Sequence, residues 1–210
     1  MPEMVVGDWL LLDSQQHIMR LLDRKTCFSR KAAGSKLKRQ LISANVDTAF
    51  IVSSMNDDFN LNRIERFLSL VNESGAEPVV LLSKSDQSET PQSFVEQIQA
   101  LDPFLTVEAI NCLDEESANK LSPWIKEGTT IAVLGSSGVG KSTLINTLLG
   151  EKRQSTGDIR EDDNKGRHTT TRRSLIYLGE RGVILDTPGM GEMEIADWKE
   201  GIAIKLMDME

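Results

Sequence analysis

Apolar and polar positions in this 210-residue chain follow two periods, and the switches between them outline its elements. Val5 to Leu12 and His17 to Leu22 are strand-like runs around Asp13-Ser14, which predicts a hairpin. From Asp47 onward, short apolar runs alternate with helical stripes. Thr48 to Ser53, Pro78 to Leu82, Val107 to Ile110, Thr130 to Leu134 and Val183 to Leu185 read as strands, the last forming an antiparallel hairpin with Ser174 to Leu178. Leu61, Ile64, Leu68 and Val71 share one helical face that Gly75 ends, and Thr90-Pro91 opens a second helix carrying Phe94, Val95, Ile98 and Leu101. Ser142 to Leu149 form a third, closed by Gly150. Such alternation predicts an α/β fold, a mostly parallel sheet with helices on both faces, whose apolar stripes are core.

Composition sets bounds on this outline. With 39% hydrophobic residues the chain can bury one full α/β core plus a smaller appendage. The start, Met1-Pro2-Glu3, has no basic leader region, and no apolar run approaches the roughly 20 residues of a membrane span, so a cytoplasmic protein without membrane partners is expected. Cys27 and Cys112 lie far apart and match no metal-ligand spacing; they read as small buried hydrophobes in a reducing compartment. A net charge of −8 argues against nucleic acid as a partner, yet its distribution argues the other way. Arg20, Arg24, Lys25, Arg30, Lys31, Lys36, Lys38 and Arg39 crowd one segment in which Asp23 is the sole acid, an electrostatic footprint suited to RNA. A solvated charged linker is the plainer alternative.

The chemistry is concentrated in four loops. Gly135-Ser136-Ser137-Gly138-Val139-Gly140-Lys141-Ser142-Thr143 contains a full GxxxxGK[ST] match between a buried strand and a helix, where loop amides and the helix N-terminus converge on an anion. Lys141 would meet the β- and γ-phosphates, and Ser142 would ligate Mg²⁺. Upstream, the strand ending at Leu82 empties into Ser83-Lys84-Ser85-Asp86, a variant of the NKxD loop that reads guanine. The Asp86 carboxylate can accept from the ring N–H and the exocyclic amine of guanine, a donor pair that adenine lacks. Lys84 would lie along the base plane, and Ser83 stands where Asn is usual, at the expense of one contact to the base or the phosphate loop. Downstream, Asp186-Thr187-Pro188-Gly189 supplies a DxxG pattern, with Asp186 on Mg²⁺ through water and the Gly189 amide sensing the γ-phosphate. Between them Gly166-Arg167-His168-Thr169-Thr170-Thr171 offers the switch hydroxyl for Mg²⁺; Thr170 is favoured, with its neighbours Thr169 and Thr171 as alternatives.

The base-reading loop precedes the phosphate loop, whereas ordinary GTPases place it last, so the order is circularly permuted. With Phe28 to Gly34 and Ala44-Asn45-Val46-Asp47, these motifs closely resemble the ribosome small-subunit-dependent GTPase A family over nearly the whole chain. The resemblance implies a partial OB-fold over 1–44 that binds RNA, a permuted GTPase domain over 45–193, and over 194–210 the start of a zinc-binding domain whose ligands are absent here. The chain therefore reads as truncated at both ends. The guanine-contacting Ser-Ala pair is replaced by Asn111-Cys112, where a backbone amide can still serve. The implied activity is hydrolysis of GTP to GDP with Mg²⁺, by a monomer that binds the small (30S) ribosomal subunit and its rRNA late in assembly and leaves on hydrolysis. Met190 stands where many GTPases place a water-orienting Gln, so the intrinsic rate is expected to be slow and the ribosome to supply the deficit. His168 is a candidate for the compensating catalytic role, its alternative being a solvated or RNA-facing side chain. A reading of a different class is a nucleotide-gated RNA-binding module with negligible turnover in this form.

Overall fold

The computed structural model describes residues 3–31, 39–150 and 174–186. Lys36, Lys38, the 166–171 run with His168 and Thr170, Gly189, Met190 and positions 194–210 lie outside the described residues. Two small sheets come first. β1 (Leu10–Leu12) and β2 (Ile18–Leu21) pair antiparallel across Asp13, whose side chain accepts from the Gln15 and His17 amides at 2.8 and 2.9 Å. This hairpin is shorter than the apolar runs suggest, because the chain at Val5 to Asp8 closes a turn held by Asp8 N–H on the Val5 carbonyl. β3 (Cys27–Lys31) and β4 (Arg39–Ala44) form a second antiparallel ribbon, anchored by the buried Phe28 and Ile42.

A six-stranded sheet follows, built from β5 (Thr48–Ser54), β6 (Glu77–Ser83), β7 (Thr106–Ala109), β8 (Thr130–Leu134), β9 (Ser174–Tyr177) and β10 (Val183–Asp186). Their order across the sheet is β7-β6-β5-β8-β10-β9, and every neighbouring pair is parallel except β9 with β10. β5, buried at every residue, has both faces covered, as a central parallel strand requires. Its alternation divides the core. Ala49 and Ile51 join Val80, Leu82 and Leu134 beneath α1 (Leu61–Ser74) and α2 (Pro91–Gln99). Phe50 and Val52 join Val79, Leu81, Ile131 and Val133 beneath α3 (Glu115–Asn119) and α4 (Lys141–Leu149).

Local signals place these helices. Asn60 caps α1 by accepting the Arg63 amide at 3.0 Å, and Gly75 ends it in the left-handed region with φ 84°. Ile64, Phe67 and Val71 form its buried stripe, so Phe67 takes the place expected of Leu68, which sits half-buried at the stripe's edge. Leu101 falls beyond the end of α2 and is 39% exposed. Gly150, at φ 70°, closes α4 as its sequence predicts.

Candidate functional site

Parallel register brings the motif loops to one edge. Ser54 lies opposite Ser83 and Ile51 opposite Leu134, so β5, β6 and β8 release their chains side by side at their carboxyl ends, where open α/β sheets hold ligands. Leu185 pairs with Ala132, which delivers position 186 to the same edge.

Between β8 and α4 the loop is fixed by its backbone. A Cβ on Gly135 would collide with the Val52 carbonyl oxygen, so only glycine lets the chain leave the sheet there. Gly140, at φ 103°, stands at the helix start, and its carbonyl accepts the Leu144 amide at 2.9 Å. The amides of the first helical turn consequently face outward without intrahelical acceptors. The Lys141 ammonium folds over the loop and donates to the Gly135 and Ser136 carbonyls at 2.7 and 2.5 Å. Ser137 and Gly138 are exposed, Val139 is buried, and Ser142 and Thr143 are half-buried on the first turn.

The loop that follows β6 is bolted to the loop between β8 and α4. Ser83 is fully buried, and its Oγ donates to the Val139 carbonyl at 2.6 Å, with the Ser53 carbonyl at 3.3 Å. The expectation that serine sacrifices a contact here needs correction for the loop half: the short hydroxyl makes that contact itself. Lys84 holds a left-handed conformation with φ 58°, uncommon for a side-chain-bearing residue, and turns the chain sharply off β6 into the 3-10 turn Ser85–Gln87. The Ser85 amide reaches the Ile110 carbonyl at 3.3 Å. Asn111 closes the neighbouring loop, its Oδ1 accepting the Leu113 amide at 3.0 Å while its own amide donates to Ser117 Oγ at 2.8 Å.

These loops enclose a cavity of about 130 Å³ lined by Lys84, Asp86, Asn111, Cys112, Gly140 and Thr143, with Ser83 at its base. Gln87 and Leu113 line it too, and sequence reasoning had singled out neither. Burial, reinforced by the nearby Asp86 charge and opposed by Lys84, pushes the Cys112 thiol up to about 12. It therefore remains a neutral wall of the cavity rather than a nucleophile. Both cysteines are free, and Cys27 is only half-buried, short of the buried position expected for it.

Sequence reasoning also passed over Asp58 and Arg63, which flank the phosphate loop. Arg63 Nη1 donates to Asp58 Oδ2 at 2.8 Å and to Ser136 Oγ at 2.9 Å, and Ser136 Oγ donates to Asp58 Oδ2 at 3.1 Å. These contacts, led by the Arg63 hydrogen bond, hold the Asp58 carboxyl below its ordinary value. No single-sequence signal joins residues 73 positions apart.

The basic segment is less uniformly available than its sequence suggests. Arg24 is consumed by Asp8, at 2.7 and 2.8 Å, and by the Glu3 carbonyl at 2.7 Å. Arg20, Lys25 and Arg30 are exposed. Among the described residues no cluster of three or more His, Cys, Asp or Glu could hold a metal, and no helix is long and apolar enough to cross a membrane.

Strand order, the GxxxxGK[ST] loop and the order of the motifs along the chain together define a circularly permuted P-loop GTPase fold. Two solved structures share it: YjeQ from Thermotoga maritima, at a TM-score of 0.66 and 22% identity over 92% of this chain and 64% of that one, and YloQ, described as a circularly permuted GTPase, at 0.60 and 22% over 93% and 60%. The family model described as RsgA GTPase matches residues 21–196, and the chain belongs to that family. It is 56% identical over 210 residues to a protein of Vibrio parahaemolyticus named small ribosomal subunit biogenesis GTPase RsgA 2. It is 46% identical over 203 residues to a Methanosarcina acetivorans protein named small ribosomal subunit biogenesis GTPase RsgA. The chain spans 59% and 55% of the lengths of these two relatives.

Proposed function

We propose that this chain binds guanine nucleotide with Mg²⁺ and hydrolyses GTP in the service of small-subunit assembly. The carrying observation is the bond between Ser83 and Val139, which locks the base loop to the phosphate loop so that one cavity presents Asp86 and Gly140 together. In this reading Asp86 accepts from the guanine edge, the Lys84 stem covers the base, and Ser85, Asn111 and Cys112 complete the wall. The loop from Gly135 to Gly140 wraps the phosphates, Lys141 exchanges its two carbonyl acceptors for phosphate oxygens, and Thr143 lies beside the base. Anionic oxygens are the stronger acceptors, which makes that exchange favourable.

The donor set suits Mg²⁺, a hard cation that takes few protein oxygens beside those of phosphate. Ser142 would hold it from the first turn of α4, joined by Thr170 and by Asp186 through water, and it would neutralise charge on the phosphates. Gly189 and His168 keep the roles assigned from sequence. Residues 1–44 are taken as part of an OB unit facing rRNA and 45–193 as the GTPase domain. The remainder, 194–210, is taken as the approach to a zinc-binding domain, and the whole as a cytoplasmic monomer.

Names of the relatives and the exposed Arg20, Lys25 and Arg30 support the ribosomal partner. Single-turnover hydrolysis of GTP with and without purified small subunits tests the proposal. Accelerated turnover with subunits is expected. Absence of turnover under both conditions, with nucleotide bound, would instead support a nucleotide-gated binding module.

A further inference from the structure

We infer that Asp58 and Arg63 are positioning residues that clasp the phosphate loop through Ser136, an inference that rests on the nucleotide reading above. Ser136 is the first residue after the Gly135 bend, so its placement sets the direction in which the loop's phosphate-facing amides follow. Its hydroxyl has two uses for one site: it accepts from Arg63 Nη1 at 2.9 Å and donates to Asp58 Oδ2 at 3.1 Å. The two partners are themselves tied at 2.8 Å, which closes a triangle. Its carbonyl meanwhile receives Lys141 at 2.5 Å, linking the clasp to the cation that serves the phosphates.

Both arms of the clasp are held from behind. Asn60 fixes the backbone of Arg63 at the start of α1, and Asn56 Oδ1 accepts from the Asp58 amide at 3.1 Å and from Ser54 Oγ at 2.7 Å. The Ser83 bond grips the loop at Val139 and the Asp58–Arg63 pair grips it at Ser136, three residues away along the chain. A loop held at two points loses little further freedom when phosphates arrive, and this preorganisation appears as slower ligand release. An exposed ion pair serving folding alone would contribute little. Arg63 and Asp58 side chains are 34% and 44% exposed, so their value lies in the loop they hold rather than in the core.

Release rates and affinities of fluorescently labelled GDP and of a non-hydrolysable GTP analogue decide the matter. They are measured on the full chain and on Arg63→Ala, Arg63→Lys, Ser136→Ala, the double Arg63→Ala/Ser136→Ala variant and Lys141→Ala, with melting temperatures beside them. Release from Arg63→Ala and Ser136→Ala is expected to quicken on the order of tenfold, equally for both nucleotides, with melting temperatures near the parent's. The double variant should be no worse than the worse single, because both remove one device, and Arg63→Lys should recover part of the loss. Unchanged release in both single variants overturns the inference, as does an additive double. Loss confined to the GTP analogue also overturns it, since Arg63 would then touch the γ-phosphate. A parent that binds neither nucleotide sinks the nucleotide reading with it; one that binds and needs Lys141, yet ignores Arg63 and Ser136, sinks this inference alone.

Discussion

Replacing Ser83 by alanine removes one oxygen from the place where the base loop meets the phosphate loop. The hydroxyl has one proton and two carbonyls within reach, Val139 at 2.6 Å and Ser53 at 3.3 Å, so the shorter contact takes it. Val139 is 1% exposed and no water can replace the lost donor easily. Leaving that carbonyl unpaired costs about 1–3 kcal/mol. For a chain of this size each kcal/mol lowers the melting temperature by about 2–4 °C, which gives an expected fall of roughly 2–12 °C. Because the bond also sets loop geometry, GDP affinity should fall together with stability, by about five- to thirtyfold for a 1–2 kcal/mol loss. Thermal unfolding with and without GDP, and titration of labelled GDP into the folded variant, measure the two effects. Unchanged melting temperature and affinity would refute the reasoning, because a fully buried hydroxyl at 2.6 Å from its acceptor would then contribute nothing.

Asp86→Asn should move base preference from guanine toward xanthine, because the amide offers a donor where guanine needs a second acceptor; competition by GTP, ATP and xanthosine triphosphate reads the shift. The Asp8 side chain is 3% exposed, and its carboxyl is held below its ordinary value chiefly by the hydrogen bond to Arg24. Its contribution to stability is complete above pH 3.8, the ordinary carboxylate value, and is lost as pH falls through the lower folded value. The acid limb of a melting-temperature profile should flatten in Asp8→Asn. Neutralising the exposed Arg20, Lys25 and Arg30 should weaken sedimentation with small subunits and reduce its log–log salt slope by about 0.7–0.9 per lost phosphate contact, with nucleotide affinity unchanged.

The legible part of this chain was whatever is local. Strand β5 and the helix ends at Gly75 and Gly150 follow from residues within one or two turns of each other. The phosphate loop was legible for the same reason, being a contiguous pattern between strand and helix. What escaped was pairing across space. Arg63 carries no mark that it reaches Ser136, nor Arg24 that Asp8 neutralises it, because such contacts depend on how elements pack and not on sequence neighbours. Leu68 shows the same limit on a smaller scale: a stripe read at helical spacing identifies the face, whereas the sheet beneath decides whether position 67 or 68 points at its centre.

Permuting the motif order leaves the edge that carries the motif loops intact, since parallel strands present their carboxyl ends together whichever comes first in the chain. What it changes is the attachment of the leading segment. β4 runs through Asn45 and Asp47 directly into β5, the strand between the base and phosphate loops, with no intervening helix. Asn45, at φ 55°, accepts the Lys25 amide and donates to the Gly7 carbonyl, both at 2.9 Å, binding three stretches of the leading segment at one corner. Asp47 then accepts the Thr130 amide at 2.8 Å, at the foot of the strand that feeds the phosphate loop. Helix α1 makes a second connection: its end at Gly75 lies against Lys25 and Thr26, while Arg63 near its start holds Ser136. The leading segment is therefore tied at Lys25 by two connections, the β4–β5 junction through Asn45 and the end of α1. An ordinary motif order, with β5 entered from a surface loop, would lack the first of them.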